Sequence, residues 1–318
     1  MRQAVAIRPY RVTDGPAVTA LIAAAWPGDA VMQELQATHG PDRESPLRRA
    51  VIAEWDGEVA GAACVTGSNH HPSRHTLVLN VAPRFRRRGV GSALLARMRA
   101  ATAASGLPFR TRARPSDASS TAFLVARGFR TLIRVRTGVI DPADPAVRRH
   151  VEALADPPPG TRLLPFDGPG STASVDDCAG VLSSVYVDTH RWDPPAPWPA
   201  DRAREHFCGT ELVAGSMVCA YQDAALAGVG ILLSLDGAAA PGAWYLSDVG
   251  VAGQDRPHAR ALTAALAAHC LEHAARNRRM VEFEVDDSHA HLWAVLETVP
   301  VVSASSDLVI MADDPVVS

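Results

Sequence analysis

The sequence predicts an α/β (α+β) protein of two similar domains in tandem, each a mixed, mostly antiparallel sheet flanked by helices. Three observations predict this class. The chain has 318 residues, enough for two ordinary domains. Strand-like and helix-like segments follow one another in the same order in both halves. A proline-rich stretch separates the halves. We therefore expect an N-terminal domain at 1–140, a linker at 141–159 and a C-terminal domain at 160–318.

Ten segments justify the first domain. Alternating apolar residues predict strands, and apolar residues three or four apart predict helices. Asp56-Gly57 between two apolar runs is a strong hairpin signal. The expected order is strand 4–10, a helix capped by Asp14, helix 30–38, strands 50–56, 58–66 and 75–82, helix 89–104, strand 108–113, helix 118–127 and strand 129–138.

The second half repeats this order after the proline cluster 157–160. A loop rich in proline and tryptophan, with the sequence WDPPAPWP, interrupts it. The expected order is strand 161–166, helix 174–188, hairpin strands 217–221 and 226–235, strand 244–251, helix 257–276, strand 280–285, helix 289–297 and strand 301–311.

Composition excludes several classes of function. The formal charge of −3 is too mild for a general nucleic-acid or membrane-surface binder. The chain contains no lysine, which excludes Schiff-base and pyridoxal-phosphate lysines and a P-loop lysine. A chain rich in arginine, alanine and proline is typical of a GC-rich bacterial genome.

The five cysteines and the apolar runs indicate the compartment. The cysteines form no CxxC pair and no metal-type spacing, which favours reduced thiols in a cytoplasmic protein. No apolar run approaches the ~18 residues of a membrane span, and the N-terminus lacks the apolar core of a signal peptide.

The most informative segment joins a strand to a helix through a basic, glycine-containing loop. Gly89 and Gly91 allow close approach of the backbone to a ligand. The first N–H groups of the following helix have no internal partner, and the helix dipole favours an anion there. Arginines nearby add charge-assisted contacts to phosphate. The segment runs through Leu79, Asn80, Val81, Arg86, Arg87, Arg88, Gly89, Val90, Gly91 and Ser92.

This pattern, Arg86-x-x-Gly89-x-Gly91, resembles motif A of the GNAT acetyltransferases. The resemblance implies two tandem GNAT folds, acetyl-CoA as co-substrate, loop amides that bind its pyrophosphate, and a strand end that binds pantetheine. The segment 117–129 is similar to the closing helix and strand of the family and adds Asp117, Ser119 and Phe123 to the expected cofactor site. The resemblance covers residues 4–138.

Catalytic residues are less clearly marked. The family's frequent general-acid tyrosine falls on Leu124, so Ser119, Ser120 or water serves instead, or this half does not catalyse. His75 occupies the position of a glutamate base in histone-type members, and imidazole titrates near neutral pH. The alternative is an exposed histidine in the turn that contains His70 and His71. This histidine cluster lacks a carboxylate or cysteine partner, so we expect no metal.

The second half resembles a degenerate copy. Aligning Val251 with Val81 places Arg256, Ala259 and Ala261 opposite Arg86, Gly89 and Gly91. The added methyl groups obstruct approach of a phosphate, so weak or absent CoA binding is expected. Asp248 is a possible base and Trp293 falls near the usual tyrosine, and we expect this half to be non-catalytic.

The expected function is N-acetyl transfer from acetyl-CoA to an amine of a small molecule, by a monomer or homodimer without nucleic-acid or membrane partners. Two alternatives remain open. In one, acetyl-CoA is structural in the N-terminal domain and the C-terminal domain transfers acyl groups. In the other, the protein is a non-enzymatic CoA-binding module. A nucleic-acid role for 84–88 would require salt-sensitive binding that acetyl-CoA does not displace.

Overall fold

The computed structural model of the chain describes residues 5–234, 242–253, 255–256, 258–302 and 306–313. It divides into two compact units. Unit 1 comprises Met1–Leu132, Asp193–Ala196 and Ile310–Ser318, and unit 2 comprises Ile133–Trp192 and Pro197–Val309. Within the described ranges, no helix is long and apolar enough to cross a membrane.

Unit 1 contains a sheet with the strand order β1-β2-β3-β4-β5. Neighbouring strands are antiparallel except β4 and β5, which are parallel. Its elements are β1 (Ala6–Pro9), α1 (Gly15–Ala25), α2 (Ala30–Gln36), β2 (Arg48–Trp55), β3 (Glu58–Thr66), β4 (His75–Val81), α3 (Val90–Thr102), β5 (Phe109–Ala113) and α4 (Ala118–Val125).

The two faces of this sheet carry different helices. Ala62 on β3 belongs to a buried cluster with Val18 and Ile22 of α1. A Cβ on the adjacent Gly61 would instead meet Val90 and Leu94 of α3. Because successive strand residues point to opposite faces, α1 and α3 cover opposite faces of the sheet.

Two local predictions have different outcomes. The hairpin at Asp56-Gly57 is confirmed: both residues have positive φ, 51° and 80°, as a tight two-residue turn requires. Asp14 does precede α1, but its carboxylate does not cap that helix. It accepts instead from the backbone N–H of Arg11 and from the guanidinium of Arg8.

The segment Asp193–Ala196, which is far from Leu132 in the sequence, also belongs to unit 1. The carboxylate of Asp193 is fully buried and accepts hydrogen bonds from Arg110 of β5 and from Ser73. His71 Nδ1 donates to the carbonyl oxygen of Asp193 at 2.7 Å, and the Ala196 N–H bonds to the His70 carbonyl at 2.8 Å. Residues 193–196 therefore hold the end of the sheet where β4 and β5 begin.

Unit 2 contains two groups of paired strands, ordered β11-β9-β8-β7 and β6-β12-β10. Strands β6 and β13 each have some residues assigned to unit 1 and some to unit 2. The elements are β6 (Arg130–Ile140), α5 (Pro145–Leu154), β7 (Thr161–Pro165), α6 (Val175–Thr189), α7 (Ala200–Cys208), β8 (Val218–Gln222), β9 (Ala225–Gly230), β10 (Trp244–Leu246), β11 (Val249–Val251), α8 (Ala259–Arg276), β12 (Val281–Asp286), α9 (Ala290–Leu296) and β13 (Ser306–Ala312).

Unit 2 differs from the sequence expectation in three places. The short helix expected within the linker 141–159 is α5, but its Val147 and Val151 are buried in the core of unit 2. The single strand expected at 244–251 is broken at Ser247-Asp248 into β10 and β11. Helix α7 was not predicted. Part of the strand expected at 301–311, residues 303–305, lies outside the described residues.

Candidate functional site

The candidate site of unit 1 is a slot where β4 and β5 separate. Their parallel pairing joins His75 to Phe109 and Thr76 to Arg110 and extends no further. Both strands continue within the described residues, to Val81 and Ala113. On its other side β4 is paired with β3 at every residue from Thr76 to Val81. One edge of β4 is therefore open to a ligand along residues 77–81.

A cavity of about 520 Å³ occupies this slot and extends to the loop before α3. Eleven of the thirteen predicted cofactor-binding residues line it: Leu79, Asn80, Val81, Arg86, Arg87, Gly89, Val90, Gly91, Ser92, Ser119 and Phe123. The strand, the loop and the start of α4 thus contribute to one continuous surface.

The loop before α3 has the backbone shape of an anion site. Gly89 is the N-cap of α3 with φ 85°, and Arg87 also has a positive φ, 62°. This left-handed conformation favours glycine at 89. The first amides of the 13-residue helix α3 face the cavity with the positive end of the helix dipole. Arg86 and Arg87 line the same end, so an anion there meets amides and guanidinium groups together.

Gly91 is required for a different reason from the one expected. A Cβ at this position would lie 3.0 Å from the ring of Phe123. The absence of a side chain therefore lets α4 pack closely on α3. The guanidinium of Arg127 lies 3.9 Å from the Phe123 ring centroid and donates to Ser92 Oγ. These contacts join the starts of α3 and α4 along the cavity wall.

Two predicted cofactor residues do not line the cavity. The guanidinium of Arg88 lies over Trp55, at 5.5 Å from the ring centroid. Asp117 caps α4 by accepting from the N–H groups of Ser119 and Ser120. Burial acts to raise the pKa of Asp117, but hydrogen bonds from Ser120 and Ser119 outweigh it and hold that pKa below its ordinary value. Asp117 thus positions the start of α4.

His75, the predicted base, lies outside the cavity lining. Its side chain is 4% exposed, and Nε2 is 2.9 Å from Ser105 Oγ. Burial lowers its pKa. It sits where β4 and β5 are still paired, away from the open part of the slot. The structure gives it the surroundings of a core histidine and brings it to no reacting position.

The cavity is also lined by residues that were not predicted to bind the cofactor. Trp26 Nε1 donates to Asn80 Oδ1 at 2.8 Å, and Asn80 Nδ2 donates to Gln36 Oε1 at 3.1 Å. This network fixes the wall formed by the α1–α2 region. Leu124, at the expected tyrosine position, also lines the cavity. Arg112 is a further addition, and its signal in the sequence was the alternation of arginines in Arg110-Thr-Arg-Ala-Arg114.

The lining is basic. Among the residues that surround the cavity, all within the described part of the chain, there is no carboxylate, imidazole, thiol or phenol. Four arginines contribute to it, Arg86, Arg87, Arg112 and Arg127. The cavity suits a ligand rich in negative charge, and a proton released within it leaves through water. Among the described residues, no group of three or more His, Cys, Asp or Glu could hold a metal ion.

Unit 2 has the same strand arrangement, but its slot is filled. β10 pairs in parallel with β12, and β11 then turns away to pair with β9. His289 Nε2 donates to the carbonyl oxygen of Val249 at 2.8 Å. A Cβ on Gly250 would meet Val185 at 2.7 Å and His289 at 3.3 Å. The edge of β11 that corresponds to the open edge of β4 is thus occupied by side chains.

The loop before α8 also differs from its counterpart. The N-cap with positive φ is His258, at 68°, so His258 and not Ala259 corresponds to Gly89. The expected alignment is off by one residue here because this loop is shorter. Asp248 is half-buried, burial raises its pKa, and Ser247 donates to its carboxylate. Trp293 lies under the guanidinium of Arg134, at 5.3 Å from its ring centroid.

A sheet that opens between two parallel strands, beside a basic loop and a helix N-terminus, defines an acyltransferase fold. Residues 16–129 match the Acetyltransferase (GNAT) family. The matched residues lie within unit 1, and unit 2 repeats the order of elements of unit 1.

Solved structures support the fold over the whole chain. A GCN5-related N-acetyltransferase from Sphaerobacter thermophilus aligns with 97% of this chain and 95% of its own, at TM-score 0.64 and 19% identity. A tandem GNAT protein from the clavulanic acid biosynthesis pathway aligns over 97% and 98%, at TM-score 0.53 and 18% identity. A glucosamine N-acetyltransferase region of a fungal multi-domain β-N-acetylglucosaminidase aligns with 98% of this chain and 38% of its own, at TM-score 0.59 and 14% identity. No curated protein matches the chain in sequence.

Proposed function

We propose that unit 1 binds acetyl-CoA in the slot between β4 and β5 and transfers its acetyl group to an amine of a small molecule. The observation that carries this proposal is the open edge of β4 ending at a left-handed Gly89 and the amides of α3. The pyrophosphate lies at these amides and at Arg86 and Arg87. The pantetheine amides pair with the open edge of β4.

Positioning accounts for most of the catalysis in this proposal. The cavity holds the thioester and the amine together, which removes the entropic cost of their encounter. A backbone N–H of the open edge of β4 polarises the thioester carbonyl. The lining contains no carboxylate, imidazole, thiol or phenol, so the amine reaches the slot as the free base. Its attack forms the amide bond and expels the CoA thiolate, and the amine proton passes through water to that thiolate.

A second candidate keeps acetyl-CoA structural in unit 1 and places transfer in unit 2. The lack of acid–base side chains around the cavity of unit 1 favours it, as does the raised pKa of Asp248. The side chains of Val185 and His289 beside Gly250 oppose it, because they occupy the space that a thioester would take. The two candidates differ in the expected number of CoA molecules per chain.

Native mass spectrometry with acetyl-CoA tests both. We expect one bound molecule per chain. Arg86→Glu with Arg87→Glu should weaken binding by at least ~10-fold, because two charge-assisted contacts become repulsive. Arg97→Glu is the matched control, since Arg97 lies exposed on α3 outside the cavity. Two bound molecules would favour transfer in unit 2, and none would contradict the proposal.

A further inference from the structure

We propose that Arg112 binds a carboxylate of the acceptor, so that the amine acetylated by this protein is itself a carboxylic acid, such as an α-amino acid. This inference rests on the proposed function and specifies the class of acceptor. It is carried by three arginines at alternate positions, two on β5 and one directly after it, of which the middle one has no counter-ion among the described residues.

Arg110 and Arg112 occupy alternate positions of β5 and therefore project from the same face of the sheet, and Arg114 follows directly after the strand ends at Ala113. Arg110 is paired with the carboxylate of Asp193. Arg114 is paired with Asp29 through two hydrogen bonds of 2.7 Å, one from Nε and one from Nη2. Each outer arginine of the row thus meets an aspartate of the protein.

Arg112 is the exception. It is half-buried, it lines the cavity, and within the described part of the chain it has no hydrogen-bond or ion-pair partner. A partly desolvated guanidinium without a counter-ion is unfavourable. An anion that enters the cavity relieves this cost, and the planar fork of arginine binds a carboxylate through two parallel hydrogen bonds.

The position of Arg112 separates it from the predicted phosphate site. In the register of Thr76 with Arg110, Arg112 comes level with Val78, three residues before β4 ends at Val81. Three strand residues span about 10 Å, and the loop to Gly89 lies beyond. Arg114 beside Arg112 reaches the N-cap residue of α2, Asp29. Arg112 therefore faces the side walled by the α1–α2 region, where an acceptor enters.

Charge within the cavity favours the same class of acceptor. A polycationic amine finds no carboxylate among the lining residues and is repelled by Arg112. An amine that also carries a carboxylate is held by Arg112, with its amino group directed toward the thioester. The cavity thus selects for the acid by attraction and against polyamines by repulsion.

The test compares pairs of acceptors that differ only in the carboxylate. Acetylation of the common α-amino acids and of their α-carboxamides is measured with acetyl-CoA, for the full-length protein and for Arg112→Gln. We expect the amino acids to be preferred in the wild type. Arg112→Gln should lower their kcat/KM by about 10- to 100-fold, the loss typical of a hydrogen-bonded charge. The ratio of acid to amide turnover should then approach one.

Arg97→Gln is the control, because it removes the same charge from an exposed site on α3. It should leave the ratio of acid to amide turnover unchanged. Acetyl-CoA affinity is measured separately for each variant by native mass spectrometry. In Arg112→Gln it should change by less than ~2-fold, because Arg112 lies away from the phosphate loop.

Three outcomes overturn the inference while leaving the proposed function in place. The first is equal use of acids and amides by the wild type. The second is equal loss of both in Arg112→Gln. The third is turnover of amines without any turnover of amino acids. Loss of acetyl-CoA affinity in Arg112→Gln that matches its loss of turnover would place a CoA phosphate at Arg112 and would also overturn it. Failure of the wild type to bind acetyl-CoA is a different result and contradicts the proposed function itself.

Discussion

The two glycines at the start of α3, Gly89 and Gly91, are required for different physical reasons. Gly89 has φ 85°, and a Cβ built there meets nothing within 4 Å. Its requirement is conformational, because side chains disfavour the left-handed region by about 1–2 kcal/mol. Gly91 is helical, and its Cβ would contact the ring of Phe123 at 3.0 Å. Glycine is therefore required at position 91 because the ring of Phe123 leaves no space for a side chain.

Stability measurements can separate these causes. We expect Gly91→Val to lower the free energy of unfolding by about 1–3 kcal/mol, the usual cost of overpacking. In a Phe123→Ala background this cost should largely disappear, since the ring is gone. Gly89→Val should cost the same in both backgrounds. Urea unfolding of the two double-mutant cycles measures each coupling. An equal cost of Gly91→Val in both backgrounds would show that the contact with Phe123 is not limiting.

Asp193 is the residue on which the segment 193–196 depends. Its carboxylate is fully buried beside Arg110, with His71 and Arg74 within 4 Å. Removing one member of a buried ion pair leaves the other charge without compensation, which costs about 3–5 kcal/mol. We expect Asp193→Ala to destabilise unit 1 by that amount. Hydrogen exchange of peptides from β4 and β5 measures it directly.

Asp188→Ala provides the control for Asp193→Ala. Asp188 pairs with Arg191, whose side chain is 78% exposed. Exposed ion pairs contribute about 0–1 kcal/mol, so Asp188→Ala should change stability little. A similar small effect for Asp193→Ala would mean that the segment 193–196 is held by its other contacts.

At the scale of elements, local patterns were sufficient for most of the fold. The Asp56-Gly57 turn and the order of strands and helices follow from residues close together in sequence. The predicted strand 244–251 is broken at Ser247-Asp248, two consecutive polar residues between apolar ones that the prediction included in one strand. Helix α7 was missed because its buried residues, Ala203 and Phe207, give a weak helical pattern between charged residues.

The candidate site was predictable where it depends on backbone shape. The glycine positions and the helix N-terminus located the loop from sequence alone. The roles of side chains that meet across the sheet were not predictable in the same way. His75 has the chemistry of a base, yet its burial beside Ser105 depends on tertiary packing. The pairing of Arg110 with Asp193 joins residues 83 positions apart, which no local pattern indicates.

At the scale of the whole molecule, the two units share an order of elements but differ in their slots. The slot of unit 1 is open along β4, and that of unit 2 contains His289 bonded to the Val249 carbonyl. Binding energy from acetyl-CoA is therefore expected in unit 1 alone. By linkage, a ligand that binds only the folded state stabilises the unit that contains it.

The closed slot makes the stability of unit 2 sensitive to acid. Burial lowers the pKa of His289 from 6.5 to about 4. The folded unit thus binds fewer protons than the unfolded chain between these values, so stability is complete above about pH 6.5 and is lost as the pH falls toward 4. For this shift in pKa, the free energy of unfolding of unit 2 falls by at most about 3 kcal/mol.

Hydrogen exchange of β11 and α9 between pH 7 and pH 4 measures this effect. We expect protection to fall with pH in the wild type and to fall less in His289→Gln, which cannot be protonated. His39→Gln is the matched control, since burial also lowers the pKa of His39 to about 4 but His39 lies in unit 1. It should leave the acid response of α9 unchanged. Identical profiles for wild type and His289→Gln would exclude His289 as the group responsible.

Unit 1 consists of three segments that are far apart in the sequence, which affects its folding during synthesis on the ribosome. Domains usually fold as they emerge, the N-terminal one first, at about 5–20 residues per second. Here Arg110 obtains its counter-ion only when Asp193 has emerged. The Phe109 carbonyl obtains its hydrogen bond from Asp313 N–H, and Arg99 obtains its ion pair, only when Asp313 has emerged. Unit 1 is thus completed only after all of unit 2 has been synthesised, so its folding cannot finish when residues 1–132 have emerged.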